Sequence, residues 1–218
     1  MKKKILIVAP HVDDETLGCG GTILKNLDEG NIVHCLIITK LKEKILKNKK
    51  KLELKSVMNK YPIKFYKQLN FQPAKLDTIS KQKIINSIKV YFDKIKPSEV
   101  YIPYENDAHS DHKIVFNCVS SISKSFRSKY IKKVLVYETP SETDINLDHR
   151  LPNFKPNLFV DISKYIKKKI YILSQYKSEI GEHPFPRSLK NVRALATYRG
   201  SMSNFKSAEA FIILKERI

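Results

Sequence analysis

The stretch that decides the fold is KILIVAPHVDDETLGCGGT, residues 4–22. Its five consecutive apolar residues, ILIVA, predict a short buried strand that ends at Pro10. Residues 15–29 carry apolar side chains at helical spacing, so a helix is predicted to follow. One imidazole and a run of carboxylates stand between the two elements. The chain therefore begins with a strand, a polar loop and a helix.

The same alternation of strand and helix continues along the chain. Further buried strands are predicted at 32–39, 63–69, 99–103, 133–138 and 208–216. Helices are predicted at 41–60, 79–95, 111–126, 163–177 and 189–198, with loops at 139–157 and 178–188. Alternating units of this length indicate an α/β fold with a mainly parallel sheet and helices on both faces. We expect one domain spanning residues 1–218, since single domains of ~200 residues are common.

The composition predicts a globular, cytoplasmic protein. Hydrophobic residues make up 42% of the chain and charged residues 29%. No segment approaches the ~20 apolar residues of a membrane span. The apolar run behind the basic start MKKK is too short for a secretory signal. We therefore predict no transmembrane segment, and the sequence does not specify an oligomeric state.

The net charge of +19 raises the question of a nucleic-acid partner. Only six of the 41 basic residues are arginine, the residue preferred for bidentate contacts to phosphates and bases. We therefore expect most lysines to cover a solvated surface, and nucleic acid is not the expected partner. Attraction to an anionic substrate or a membrane surface stays open.

The three cysteines, Cys19, Cys35 and Cys118, are widely spaced and lie in apolar contexts. Their number is odd and no CxxC pair occurs, so neither a zinc knuckle nor a disulfide framework is indicated. We predict that all three are buried thiols.

Reactive side chains are concentrated in two segments that follow predicted strands. PHVDDE, residues 10–15, follows the first strand, and PYENDAHSDH, residues 103–112, follows the strand at 99–103. In a parallel sheet, ligands bind beyond the carboxyl ends of the strands, where the strand order reverses. If the order reverses between these two strands, the two loops face each other across a crevice.

The residue types in these two loops are typical of a hydrolytic metal site. His11, Asp14 and His112 would supply three ligands and leave a fourth position open, as in catalytic zinc sites. Asp13 and His109 would then remain uncommitted beside the metal. A carboxylate there can accept a proton from an acidified water, and an imidazole can stabilise a developing oxyanion.

These motifs resemble those of the PIG-L/LmbE-like zinc deacetylases. The similar stretches are PHVDDE followed by TLGCGGT, then HSDH, and at the C-terminal end HPFPRS, YRGS and AEAF. Val12 stands where that family commonly has proline. The resemblance implies a Rossmann-like three-layer sandwich that removes the N-acetyl group of an amino sugar. It implies Zn²⁺, with another divalent metal as the alternative, and an N-acetylated sugar or glycoconjugate as the small-molecule substrate.

The resemblance also implies a role for each matching side chain. Asp13 would be the general base and then the acid for the leaving amine, and His109 would stabilise the tetrahedral oxyanion. Asp111 would orient a histidine from outside the ligand set. Arg187, in the stretch similar to HPRS, could contact substrate phosphate or hydroxyl groups.

Further residues beside the histidine loop and the first helix have weaker signals. Glu105 and Asn106 flank the histidines and could line the pocket. Acidic residues at a helix start often serve only as caps, and we expect this of Glu15. Gly18, together with the two glycines that follow Cys19, is expected to permit close packing of the helix on the sheet.

Two other functions remain open at this point. One is a zinc amidase that acts on a non-sugar amide or a thiol conjugate. The other is a non-enzymatic nucleotide-binding protein, which the basic charge and the strand–helix alternation would suit.

Overall fold

The structure is a computed structural model, and it describes residues 2–40, 47–63 and 65–218. The strands of this part are β1 Lys4–Ala9, β2 Ile32–Thr39, β3 Phe65–Phe71, β4 Glu99–Pro103, β5 Lys133–Tyr137, β6 Leu158–Asp161 and β7 Ala208–Glu216. The α-helices are α1 Asp14–Asp28, α2 Lys47–Lys60, α3 Lys81–Ile95, α4 Ser110–Ile122, α5 Ile166–Leu173 and α6 Leu189–Ser201. A short 3₁₀ helix covers Leu76–Thr78.

The strands of the described residues form one sheet in the order β3-β2-β1-β4-β5-β7-β6. The first five strands in chain order are parallel to one another, and β7 runs antiparallel to both β5 and β6. The chain moves outward from β1 through β2 to β3 and then returns to place β4 on the other side of β1. The strand order therefore reverses between β1 and β4, and the loops that follow these strands lie side by side.

Both faces of the sheet are covered because the strands are apolar on both sides. In β1, Ile5 and Ile7 pack toward the layer that contains α1, α2, α5 and α6. Leu6 and Val8 pack toward α3 and α4 on the other face. This arrangement confirms the predicted α/β class with a mainly parallel sheet between two helical layers.

Several boundaries differ from the prediction, and local hydrogen bonds explain them. The helix predicted at 111–126 ends at Ile122, because the N–H groups of Arg127 and Ser128 bond to the carbonyl of Lys124 and form a separate turn. The helix predicted at 163–177 covers only 166–173.

The segment ahead of that helix is strand β6, which the sequence predicted only as a lead-in to the helix. Asp161 accepts hydrogen bonds from the N–H and the hydroxyl of Ser163, and this turn separates β6 from the start of α5. Residues 41–46 of the helix predicted at 41–60, and Lys64 of the strand predicted at 63–69, lie outside the described residues. The strand itself is displaced to 65–71.

Helix α1 lies unusually close to its neighbours because it is glycine-rich. A Cβ atom on Gly18 would lie 2.4 Å from the Tyr137 ring, and one on Gly21 would lie 2.6 Å from Ile162. The glycines thus serve close packing, as predicted.

The cysteines are all buried and free, which also agrees with the prediction. No helix among the described residues has the length and apolar character that a membrane crossing requires.

Candidate metal centre

The loop after β1 holds its acidic side chains in place through its own backbone. The N–H of His11 donates to Oδ2 of Asp14 at 2.8 Å, so the Asp14 carboxylate turns back toward the imidazole of His11. Asp13 is the residue before α1, and its φ of 96° places it in the left-handed region. A non-glycine residue in this region carries backbone strain of ~1–3 kcal/mol, and residues strained in this way are common at functional sites. Glu15 accepts the N–H of Asp13 at 3.1 Å, at the helix start where a cap was predicted.

The structure brings His11, Asp14 and His112 together from the two loops. Oδ2 of Asp14 lies 3.5 Å from Nδ1 of His11 and 3.3 Å from Nε2 of His112. A tetrahedral zinc centre with bonds of ~2.0–2.1 Å separates its ligand atoms by roughly 3.3 Å. These three side chains therefore have the spacing and the donor atoms that zinc requires, and all candidate ligand atoms lie within 4.8 Å of one another.

The outward-facing nitrogen of each of these imidazoles is held by a carboxylate. Nε2 of His11 lies 2.9 Å from Oδ2 of Asp111, and Nδ1 of His112 lies 2.7 Å from Oδ2 of Asp107. Such carboxylate partners fix the ring orientation and the tautomer of metal-binding histidines. Asp111 is thus placed where the sequence predicted an orienting group. Asp107 was not predicted, although its position in NDAHSDH, five residues before His112, was an available signal.

The charges at the centre favour a cation. Burial opposes a charge on His11, but hydrogen bonds with Asp111 and Asp14 raise its pKa to about 9. Burial also opposes a charge on His112, and the adjacent Asp14 carboxylate nevertheless raises the pKa of His112 well above its usual range. Burial alone would raise the pKa of Asp14, whereas the two imidazoles hold it well below the ordinary value. A divalent cation would supply this positive charge in place of the ring protons.

Asp13 faces the same cavity and pairs with Arg187. Its Oδ2 accepts a hydrogen bond from Nη1 of Arg187 at 3.0 Å. Burial and the Asp14 charge raise the pKa of Asp13 well above its ordinary value, and the guanidinium opposes that rise. Arg187 therefore favours the ionised, proton-accepting form of this carboxylate.

His109 presents a neutral imidazole next to the ligands. Its ring centre lies 4.5 Å from that of His11. Burial, together with the neighbouring imidazoles His11 and His112, lowers the pKa of His109 to about 4. Its Nδ1 accepts the N–H of Asp111 at 3.1 Å, so the neutral ring carries its proton on Nε2. His109 is thus a hydrogen-bond donor without a net charge.

These side chains lie around one cavity of about 300 Å³. Its lining includes the residues His11, Asp13, Asp14, Lys40, Lys50, Pro73, Ala74, His109, His112, Thr139, Glu142, Glu179 and Arg187. Glu105 and Asn106 are not brought to this lining. Asn106 instead donates to the hydroxyl of Tyr104 and the carbonyl of Pro152, so its amide ties two loops together.

The fold and the site together define an α/β protein with a candidate His₂Asp metal centre at the switch point of its sheet.

Comparison with protein families assigns the chain. Residues 6–123 match the family model described as PIG-L: GlcNAc-PI de-N-acetylase. The matched region is more than half of the chain and contains both histidine-bearing loops. The chain belongs to the PIG-L family.

Individual relatives agree with this assignment. The chain is 26% identical to diacetylchitobiose deacetylase of Thermococcus kodakarensis over 95% of this chain and 81% of that protein. It is 28% identical to the probable N-acetyl-alpha-D-glucosaminyl L-malate deacetylase 2 of Bacillus cereus over 58% of this chain and 66% of that protein. The solved N,N'-diacetylchitobiose deacetylase of Pyrococcus horikoshii superposes with a TM-score of 0.78 at 21% identity, covering 98% of this chain and 84% of that chain.

Proposed function

We propose that this protein is a metal-dependent deacetylase that hydrolyses the N-acetyl group of an amino-sugar substrate. The observation that carries the proposal is the convergence of five side chains, His11, Asp13, Asp14, His109 and His112, on one cavity. Three of them have the spacing of a zinc ligand set, and two remain available for proton transfer and oxyanion stabilisation. The names of the relatives, a diacetylchitobiose deacetylase and a glucosaminyl malate deacetylase, support an N-acetylated sugar as the substrate.

His11, Asp14 and His112 would hold the metal. Zinc bound there would polarise the acetamide carbonyl and lower the pKa of a water to ~7. A site of two imidazoles and one carboxylate also suits iron or cobalt. We propose zinc because the spacing of the three ligand atoms agrees with tetrahedral zinc coordination.

The remaining side chains would transfer the proton and stabilise the developing negative charge. Asp13 accepts a proton from the attacking water while Arg187 holds its carboxylate in place. The Nε2–H of His109 donates to the carbonyl oxygen as negative charge develops on it. The water oxygen bonds to the acetyl carbon, the C–N bond breaks, and Asp13 returns its proton to the departing nitrogen. The products are acetate and a free amine in equal amounts.

A lysine at the rim of the cavity favours an anionic group on the substrate. Lys50 pairs with Glu179 at 2.7 Å. Lys40, which also lines the cavity, makes no ion pair within the described residues and is exposed. An exposed ammonium at the rim of a protein with a net charge of +19 would attract a carboxylate or a phosphate.

The test is acetate and amine release by the purified, metal-loaded protein on a panel of N-acetylated compounds. The panel contains neutral N-acetyl sugars, N-acetylglucosamine derivatives that carry a phosphate or a carboxylate, and non-sugar amides and thiol conjugates. We expect equimolar acetate and amine from the sugars, loss of activity with a chelator and recovery with zinc. We further expect higher kcat/KM for the anionic sugars, decreasing as salt is added. Turnover confined to the non-sugar amides would contradict the sugar substrate, and full activity after complete metal removal would contradict the metal centre.

A further inference from the structure

The hydrogen bonds around His112 continue beyond Asp107 to a residue that has no place in the proposed reaction. Oδ2 of Asp107 lies 2.7 Å from Nδ1 of His112, and Oδ1 of Asp107 lies 2.6 Å from the hydroxyl of Thr143. Asp107 is fully buried, so its carboxylate needs hydrogen-bond donors in its immediate surroundings. Within the part of the chain that the structure describes, Thr143 and His112 are the two side chains that hydrogen-bond to it.

The direction of these hydrogen bonds follows from a third contact. The N–H of Thr139 donates to the hydroxyl oxygen of Thr143 at 2.8 Å. That oxygen acts as an acceptor in this contact, so the hydroxyl proton of Thr143 is free to point to the carboxylate of Asp107. An ionised carboxylate only accepts, and it therefore accepts Nδ1–H of His112 with its other oxygen. His112 then keeps the lone pair of Nε2 for a metal.

The turn that carries Thr143 is attached to the histidine loop by its backbone as well. The N–H of Thr143 bonds to the carbonyl of Thr139 at 2.9 Å, which closes the turn after β5. The N–H of Ala108 donates to the carbonyl of Glu142 at 2.9 Å. The turn and the loop that contains Asp107 are therefore also joined by a backbone hydrogen bond next to the Thr143–Asp107 contact.

We propose that Thr143 is a positioning residue for the metal ligand His112 and that it acts through Asp107. Without the hydroxyl, one buried oxygen of Asp107 loses its donor, and an unpaired buried acceptor is costly. The carboxylate would then rotate, and the imidazole of His112 would lose its fixed orientation. This inference rests on the metal centre of the proposed function.

The experiment measures the Kd for Zn²⁺ by competition with a chromophoric chelator. Thr143→Val replaces the hydroxyl with a methyl group of similar size, and Thr143→Ser retains the hydroxyl. We expect Thr143→Val to weaken zinc binding about tenfold, at the lower end of the effect of losing a ligand's carboxylate partner. Thr143→Ser should remain close to the wild-type Kd, and the Co²⁺ absorption spectrum should change in the valine variant only.

A matched control separates this role from support of the turn. Asp144 accepts the N–H of Ser141 at 2.9 Å within the same turn and makes no contact with Asp107 among the described hydrogen bonds. Asp144→Ala should therefore leave the Kd unchanged. An equal loss in Asp144→Ala and Thr143→Val, or a wild-type Kd in a folded Thr143→Val, would overturn the inference. If Thr143→Val does not fold, Thr143→Ala takes its place with the same expectation.

Acetate release by the wild-type protein, measured in parallel, keeps the two proposals distinguishable. Weaker zinc binding in Thr143→Val supports the inference whether or not acetate is released. The opposite result is acetate release by the wild-type protein together with an unchanged Kd in Thr143→Val. That result overturns the inference and leaves the proposed function intact.

Discussion

At the scale of single residues, the distinctive contact of the site is the one between Asp13 and Arg187. Asp13 is buried, carries a positive φ and lies next to a second carboxylate. Burial and the neighbouring carboxylate oppose an ionised side chain, and the positive φ strains the backbone that carries it. The guanidinium 3.0 Å away compensates by hydrogen bonding and by charge. Arg187 therefore contacts the proposed base, and the substrate contact predicted from the sequence stays a second possible role of the same side chain.

Arg187→Gln distinguishes the two roles of this arginine. Loss of the Asp13 contact lets the carboxylate move from its position, and displacement of a reacting group by ~1 Å can cost up to ~100-fold in rate. We expect a large decrease in kcat with metal content unchanged, measured by steady-state kinetics and metal analysis. A higher KM with an unchanged kcat would show that Arg187 only binds substrate.

At the scale of elements, α1 positions the site because its glycine face lets it approach the sheet closely. Asp14, one of the three proposed ligands, begins this helix, and Gly18 follows one turn later against the ring of Tyr137. Tyr137 is fully buried, and its hydroxyl donates to the carbonyl of Val8 in β1. The ring therefore has little freedom to move away from an added methyl group.

Gly18→Ala is expected to destabilise the protein even though alanine is the better helix former. The gain in helix propensity is ~1 kcal/mol, and overpacking a rigid core site costs ~1–3 kcal/mol. We expect a net loss of about 1 kcal/mol in the free energy of unfolding, which lowers Tm by ~2–4 °C in a chain of this size. Lys25→Ala, on the more accessible side of the same helix, is the control and should stay within ~0.5 kcal/mol. A Gly18→Ala variant as stable as the wild type would refute the packing argument.

The helices and strands also differ in how well the sequence predicts them. The strands β1, β2, β4 and β5 are short apolar runs, and their assignment as buried strands follows from that pattern. Strand β6 was missed because its four residues, LFVD, are too few to show a periodicity and are all half-buried. Its pairing with β7, about 50 residues later in the chain, decides its structure. The same limit applies to Thr143, since its hydrogen bond to Asp107, 36 residues earlier in the chain, leaves no local spacing to read.

At the scale of the whole molecule, the candidate metal centre joins two halves of the sheet. His11 and Asp14 follow β1, and His112 lies in α4 after β4. The sequence predicted this meeting from a single topological condition, the reversal of strand order between β1 and β4, and the sheet confirms that reversal. A cation bound there would therefore stabilise the folded chain, which alone brings the three ligands together.

Zinc should raise the thermal stability of the protein. A ligand that binds only the folded state adds ~2.7 kcal/mol when its concentration is 100 times Kd, which corresponds to a rise in Tm of roughly 5–10 °C. Differential scanning calorimetry with and without zinc measures this rise. His112→Ala removes one ligand and should abolish most of the zinc-dependent shift. An equal shift in the variant would place the zinc elsewhere.

The central claim is that Asp13 is the general base beside a zinc ion held by His11, Asp14 and His112. Its most direct test measures zinc content and acetate release in Asp13→Asn. The substitution keeps the size of the side chain but removes the base, and Asp13 is not among the three proposed ligands. We predict one zinc per chain, as in the wild type, and a decrease in acetate release of about 100-fold or more, as expected for loss of general acid–base catalysis. Turnover at the wild-type rate with zinc bound would contradict the account.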